Sequence, residues 1–382
     1  MNVDNLQKTI PRPIIMFVYS IIFILAVIST SGIINTVLPP SNTPPGLGDI
    51  SVKFEYFAEH KDDYDVIFLG PSTTYHGVIP KIFDESISEN AKNVKSFNFG
   101  ISAANVAEME FYLQKILDLN PAHLKWIFLD CLVDFFVEEA PTSVKNIYWH
   151  TPFKTIENFK LILDSNFSWL TKINGFYTNT ISFVYRWLGI GYSSWQQSPD
   201  ILPEGIARDK LLQENGYYAM DWLKNSEKWQ EIFQSNYLDS YQARLKQAKS
   251  EIVEQDNNST YPPNLYAIKL IKKMVAEVKE QEKISKNKIE PIFLIPPVLD
   301  VDIDHSAIMK AYELGYISTL FAFNNPNTFA SFYEISRRSD GRHLNNQGAE
   351  EFTRALATKF SQHLNSSQEK LNEQLPISIS QN

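Results

Sequence analysis

The chain has 382 residues, a net charge of -9 and one cysteine, Cys131. Its acidic balance, with basic residues scattered along the chain, argues against nucleic-acid binding, which needs a basic face. A single cysteine excludes an internal disulfide framework and a cysteine metal cluster, and the length allows two or three domains, or one domain with insertions.

No charged residue occurs from Pro13 through Gly48, and Ile14 to Ile34 is almost wholly apolar. Such a stretch is long enough for one helix to cross about 30 Å of hydrocarbon. It exceeds the core of an ordinary cleaved leader, and no clear Ala-x-Ala site follows it, so residues 13–34 are expected to be a retained transmembrane anchor. Lys8 and Arg12 precede it, which places residues 1–12 in the cytoplasm and everything after the span outside. Residues 35–48 hold four prolines and two glycines, the composition of a semi-extended spacer.

Beyond the spacer, strand and helix patterns alternate. Val52 to His60 is a short amphipathic piece, and Asp65 to Leu69 is a strand. Pro80 and Lys81 open a short helix, and Val94 to Phe99 is a second strand. Ala103 to Leu119 is helical, with Val106, Met109, Leu113, Ile116 and Leu117 near helical spacing. Lys125 to Leu129 is a third strand, and Cys131 just after it reads as a small buried hydrophobe. The rhythm then stops. Residues 135–261, which carry six of the seven tryptophans, read as an inserted, helical, aromatic-rich cap.

Alternation resumes at Pro262. Leu265, Ile268, Ile271, Val275 and Val278 form one helical stripe, with Lys and Glu on a solvated opposite face. Ile289 to Ile295 is a fourth strand. Asp304 to Phe321 is expected to be helical, Thr328 to Ile335 a short last strand, and Asn346 to His363 a final helix. Residues 365–382 are expected to form a flexible tail. The α/β part therefore comprises 49–134 and 262–364, with a parallel sheet covered on both faces.

Two stretches carry candidate chemistry. Gly70-Pro71-Ser72 follows an apolar strand, which sets Ser72 where ligands of open parallel sheets bind. A serine needs a base to take its proton, and the base needs an orienting group. Asp340 and His343, three residues apart before a helix that Asn345 or Asn346 would cap, supply both roles. The backbone N–H groups of Ser72 and Gly100 are candidate oxyanion donors. His76 is a candidate second base, and Arg342 a candidate contact for an anionic substrate. Asp340 and His343 lack the nearby His or Cys partners of a zinc site, and no metal or organic cofactor is expected.

Gly-x-Ser after the first strand, Asn98-Phe99-Gly100 after the second and Asp340-Gly341-Arg342-His343 before the last helix together resemble the SGNH (GDSL-type) hydrolase family. The likeness covers about 62–134 and 287–364, and SDGRHLNNQGAEEF is its most specific part. The resemblance implies a flavodoxin-like three-layer α/β/α domain and serine esterase, lipase or O-acyltransferase chemistry. It implies Ser72 as nucleophile, His343 as base, Asp340 as its orienter and Gly100 as an oxyanion donor.

The chain departs from the family in two places. Its nucleophile motif is Gly-Pro-Ser-Thr, and the Gly-x-Asn-Asp motif after the third strand is replaced by Phe128-Leu129-Asp130-Cys131-Leu132. Neither Asp130 nor Asp134 replaces the missing asparagine donor while ionised, because a carboxylate accepts and does not donate. A membrane-anchored branch, the proteins of D-alanyl-teichoic acid transfer and alginate O-acetylation, is similar in its N-terminal segment and weakened third motif. That likeness implies an outward-facing O-acyltransferase or acyl esterase acting on a cell-envelope polysaccharide, beside a membrane-bound O-acyltransferase partner. The second reading is a catalytically weak scaffold that binds glycan or such a partner.

Overall fold

A computed structural model of the chain describes residues 12–37, 47–89, 93–131, 140–189, 201–202, 206–223, 237–255, 263–299 and 305–374. The expectations for residues 1–11, for most of the 35–48 spacer, and for Asp134, Trp195, Trp229 and the last part of the tail lie outside the described residues.

Strands β1 (Val66–Gly70), β2 (Ser96–Gly100), β3 (Trp126–Leu129), β6 (Glu290–Ile295) and β7 (Leu320–Ala322) form a five-stranded sheet in the order β2-β1-β3-β6-β7. Every pairing in it is parallel. Val66 aligns with Ser96 on one side and Trp126 on the other. A two-stranded antiparallel pair, β4 (Ile201–Leu202) and β5 (Ile206–Ala207), lies in the insert.

Helices follow in chain order. They are α1 (Arg12–Val37), α2 (Asp49–His60), α3 (Ser72–Gly77), α4 (Pro80–Ser88) and α5 (Val106–Asp118), then in the insert α6 (Val144–Trp149), α7 (Pro152–Asp164), α8 (Trp169–Trp187), α9 (Arg208–Gln213), α10 (Met220–Leu223) and α11 (Tyr237–Gln255). After the insert come α12 (Leu265–Ser285), α13 (Ser306–Glu313) and α14 (Asn346–Gln374). The insert is mostly helical among its described residues, as its lack of strand rhythm suggests.

Strands β1, β2, β3 and β6 are buried along almost their whole length and are apolar apart from Ser96, Asn98 and Glu290, and apolar residues from alternate positions enter two separate clusters, as in a parallel sheet packed on both faces. Ile67, Leu69, Ile127, Leu129, Phe293 and Ile295 join one apolar cluster with α2, α5 and α12. Val66, Phe68, Phe128, Ile292 and Leu294 join a second with Phe83 and Ile87 of α4 and Phe352, Leu356 and Phe360 of α14. The α5 stripe is buried as its spacing requires. On α12, Ile268, Ile271, Val275 and Val278 are buried, whereas Leu265, its first residue, is exposed. Cys131 is buried against Met274, and burial raises its thiol pKa.

Two expectations are corrected. The helix expected over Asp304 to Phe321 ends at Glu313, because Gly315 adopts a left-handed conformation (φ 71°) that stops it. The chain after that turn supplies β7 instead. The strand expected over Thr328 to Ile335 is absent. That segment makes short 3-10 turns at Ala330–Tyr333 and Ile335–Arg337, and buries Phe332 and Tyr333 beside α14.

α1 is long and apolar enough to cross a membrane: Arg12–Ile34 has a mean hydropathy of 2.5 and none of it is buried within the chain.

Candidate active site

The strand order reverses between β1 and β3, so the crevice at their carboxyl ends is the switch point where ligands of such sheets bind. Ser72 follows β1 there and Asp130 follows β3. Gly70 closes β1 because a side chain would not fit. A Cβ on it would lie 2.0 Å from Thr74 Oγ1 and 2.9 Å from Asp130 Cβ. Pro71 then directs the chain into α3, with Ser72 as its first residue. The Ser72 amide, in the first turn, has no carbonyl partner within its own helix.

The two ends of the chain meet at this point. Ser72 Oγ lies 2.7 Å from His343 Nε2, and His343 Nδ1 lies 2.8 Å from Asp340 Oδ2. A carboxylate only accepts, so Nδ1 carries the proton and Nε2 is the acceptor for the serine hydroxyl. Asp340 Oδ1 accepts the backbone N–H groups of Arg342 and His343, each at 2.7 Å. Burial alone would raise the Asp340 carboxyl. The His343 ring and those two amides outweigh it and hold the carboxyl well below the usual carboxylate range. The three groups thus have the connectivity of a serine activated by an imidazole that a carboxylate orients.

The turn carrying Asp340 and His343 is braced from behind. Arg338 is buried and donates from Nη2 to the Gly341 carbonyl (2.6 Å), from Nη1 to Pro297 (2.7 Å) and from Nε to the Asp340 carbonyl (3.2 Å). Ser339 N–H donates to the His343 carbonyl at 2.9 Å. Asn345 is the residue that caps α14, its Oδ1 accepting Gly348 N–H at 2.9 Å. Asn346 is held instead by the insert: Tyr217 Oη donates to its Oδ1 at 3.1 Å, and its amide donates to Asp221 at 2.5 Å.

Gly100 does not stand as expected. Its N–H donates to Asn98 Oδ1 at 2.7 Å, so the amide assigned to an oxyanion is already engaged at the end of its own strand. The close approach that glycine permits here is to protein: a Cβ would lie 2.3 Å from Tyr75 Cα. Asn98 Nδ2 also donates to the carbonyls of Thr74 (2.9 Å) and Val78 (2.7 Å). The Asn-x-Gly segment therefore fastens β2 to α3.

Asp130 lies under α3. Its Oδ2 accepts the hydroxyls of Thr73 (2.6 Å) and Thr74 (3.0 Å), which ties the end of β3 to the turn carrying the serine. His76 is buried, with Nδ1 donating to the Tyr218 carbonyl at 2.6 Å and its ring edge-on to His343 at 5.8 Å. Burial, reinforced by the neighbouring His343, lowers its pKa to about 3. It is accordingly neutral at physiological pH, and its nearest role is to wall the His343 ring. Arg342 contributes its backbone amide to Asp340.

Residues that sequence reasoning missed are Arg338, Tyr217, Tyr218, Asp221 and Lys53. Lys53 of α2 is buried, donates to the Gly100 carbonyl at 2.7 Å and lies 3.4 Å above the Tyr75 ring. Burial lowers its pKa to about 7. A lysine in the buried run of an amphipathic helix is the sequence signal for it. Among the described residues, no group of three or more His, Cys, Asp or Glu is placed to hold a metal ion. No family model matches the chain, and no curated protein matches it.

Proposed function

We propose that the protein is a membrane-anchored serine O-acyltransferase or acyl esterase. The observation that carries this reading is the continuous hydrogen-bonded chain Ser72–His343–Asp340 at the switch point of a parallel sheet. The strand order also favours a flavodoxin-like three-layer domain. With the insert's pair set aside, the order has the 2-1-3-4-5 pattern, and apolar clusters lie on both faces. The apolar α1, which begins at Arg12 and follows Lys8 in the sequence, supports a single span with the α/β domain outside. Resemblance supplies the substrate class, an O-acyl group on a cell-envelope polysaccharide.

In this mechanism Ser72 Oγ attacks the acyl carbonyl as its proton passes to His343 Nε2, and Asp340 stabilises the imidazolium. The tetrahedral intermediate collapses, His343 returns the proton to the departing oxygen, and an acyl-serine remains. A sugar hydroxyl or water then gives its proton to His343 and attacks the ester, and Ser72 regains its proton as it leaves. The Ser72 amide is the donor at hand for the oxyanion. The missing asparagine donor costs about 10²–10³ in rate in comparable sites, so hydrolysis in the isolated protein is expected to be slow. That same shortage of donors favours the second reading, a scaffold that binds a glycan or a membrane acyltransferase.

A fluorophosphonate probe on the full chain in detergent separates the two. Labelling that disappears in Ser72→Ala and His343→Ala supports the enzyme. A folded wild-type protein that does not label supports the scaffold.

A further inference from the structure

α7 and α8 have their polarity reversed relative to helices on a water-facing surface. The buried side of α7 carries Lys154, Thr155, Glu157 and Asn158 in its first two turns and Leu161 and Ile162 in its last, and that of α8 is Gly175, Thr178, Asn179 and Ser182. The inward charges are matched: Lys154 pairs with Glu110 and Glu157, and Lys273 with Glu157 at 3.1 Å. The outward side is apolar and large, with Leu170 78% exposed, Tyr177 64% and Phe153 61%. Ile173, Tyr177 and Val184 fall on one face of α8 at steps of a helical period, with Leu188 following as its C-cap, and all are exposed. A contiguous apolar patch of this kind marks a surface that water does not cover.

That surface is continuous with α1. Trp187 Nε1 donates to the Ile28 carbonyl of α1 at 3.2 Å, and the Trp187 ring packs where a Cβ on Gly32 would lie 3.2 Å away. The cleft between the helices, about 510 Å³, is lined by apolar side chains including Phe23, Ile24, Phe183 and Leu188. Ile24 lies roughly 18 Å along α1 from Arg12, at about 1.5 Å per residue. The end of α8 therefore meets α1 well within the length that would cross hydrocarbon. Arg186, the charge at that end, is turned inward onto the Ile147 and Tyr148 carbonyls. The outer residues are not wholly apolar: Lys160 and Asp164 are exposed among them, and Lys172 Nζ donates to the Leu163 carbonyl at 2.9 Å.

We infer that the outer face of α7 and α8 lies in the outer leaflet of the membrane and contacts phospholipid directly, as a second attachment beside α1. This rests on the reading of α1 as a membrane span. A single helix leaves rotation of the domain about its axis unconstrained. Two attachments fix its orientation, and with it the height of the Ser72 crevice above the bilayer.

The test uses the full chain in vesicles of phosphatidylglycerol and phosphatidylethanolamine, with nitroxide labels on single introduced cysteines. Positions are Leu170 and Tyr177 for the proposed face, Ile21 for α1 and the exposed Lys269 as a water-facing control. Collision with oxygen reports lipid, and collision with a soluble nickel chelate reports water. The expected result is an oxygen-to-nickel ratio at Leu170 and Tyr177 several-fold above that at Lys269 and close to that at Ile21. A lipid signal at Ile21 with a water signal at Tyr177 overturns the second attachment and leaves the span standing. A water signal at Ile21 overturns the span, and with it an attachment beside it. Protection of Tyr177 from both reagents shows a protein neighbour there and also overturns the proposal.

Discussion

Arg338 Nη2 donates to the carbonyl of Gly341 at 2.6 Å, so the turn between Asp340 and His343 is tied to a buried guanidinium. The same side chain reaches Pro297 at the end of β6, which couples the turn to the sheet. Substituting Arg338→Met leaves the Pro297 carbonyl without this donor and the Gly341 carbonyl with only the Leu299 N–H at 2.9 Å, and is expected to cost about 1–3 kcal/mol. Arg338→Lys keeps the charge but cannot fork to several carbonyls, and is expected to fall between the two. Denaturant midpoints and the rate of Ser72 labelling check both, and a wild-type labelling rate in Arg338→Met would contradict the bracing role.

Asp340→Asn keeps an oxygen for the two backbone amides but presents an N–H toward His343 Nδ1. The ring then turns or takes its other tautomer, and Nε2 no longer accepts from Ser72. Ser72-dependent ester turnover is expected to fall by about 10⁴-fold, with the thermal midpoint close to wild type.

Asp130 is expected to act through the threonines and not on the substrate. Asp130→Asn retains an oxygen for the Thr73 and Thr74 hydroxyls and should leave folding and labelling near wild type. Asp130→Ala leaves both hydroxyls without that acceptor and should cost about 1–3 kcal/mol. Equal losses of turnover in the two variants, at unchanged stability, would instead place Asp130 at the reacting atoms.

Gly100→Ala puts a methyl group 2.3 Å from the Tyr75 backbone, where no flexible side chain can yield. The expected cost is about 1–3 kcal/mol. Because α3 must move to relieve the contact, Ser72 labelling should slow by more than the loss of stability explains. The midpoint and the labelling rate, measured on the same sample, separate these effects.

Stability should depend on pH through one half-buried carboxyl, Asp84, and one buried carboxyl, Glu108. Burial pushes Asp84 up to about 7, against hydrogen bonds from the Ser96 hydroxyl and amide. Burial likewise pushes Glu108 up to about 7, only partly offset by Lys145 at 3.2 Å. Between about pH 4 and 7 each binds a proton in the folded chain that the unfolded chain has lost. Their contribution is therefore full below about pH 4 and disappears as pH rises through 7. Asp84→Asn, uncharged throughout, should flatten this decline in denaturant midpoints measured from pH 4 to 8, and an unchanged slope would contradict the assignment.

The alternation of strand and helix in 49–134 was legible because buried parallel strands are short apolar runs and the covering helices carry a 3.6-residue stripe. The pairing of Ser72 with His343 and Asp340 was legible because each residue type sits at an element end where chemistry needs it. The short strand Leu320–Ala322 was not, since its three residues follow a helix without a Pro break and Gly315 is the sole stop signal. The roles of Asn98 and Gly100 were also hidden. An Asn-x-Gly at a strand end has the same spelling whether its amide faces a ligand or its own side chain. Nothing in the local sequence marks Arg338, because its bracing contact is to Pro297, about 40 residues earlier in the chain.

The separation of 271 positions between Ser72 and His343 also sets an order of events during synthesis. At about 5–20 residues per second, the serine leaves the ribosome roughly 14–54 s before the histidine that would activate it. Until then the nascent chain carries a serine hydroxyl that the His343 imidazole does not contact. The contact between Ser72 and His343 can form only after synthesis has passed residue 343, so under the proposed mechanism the serine is armed late in translation.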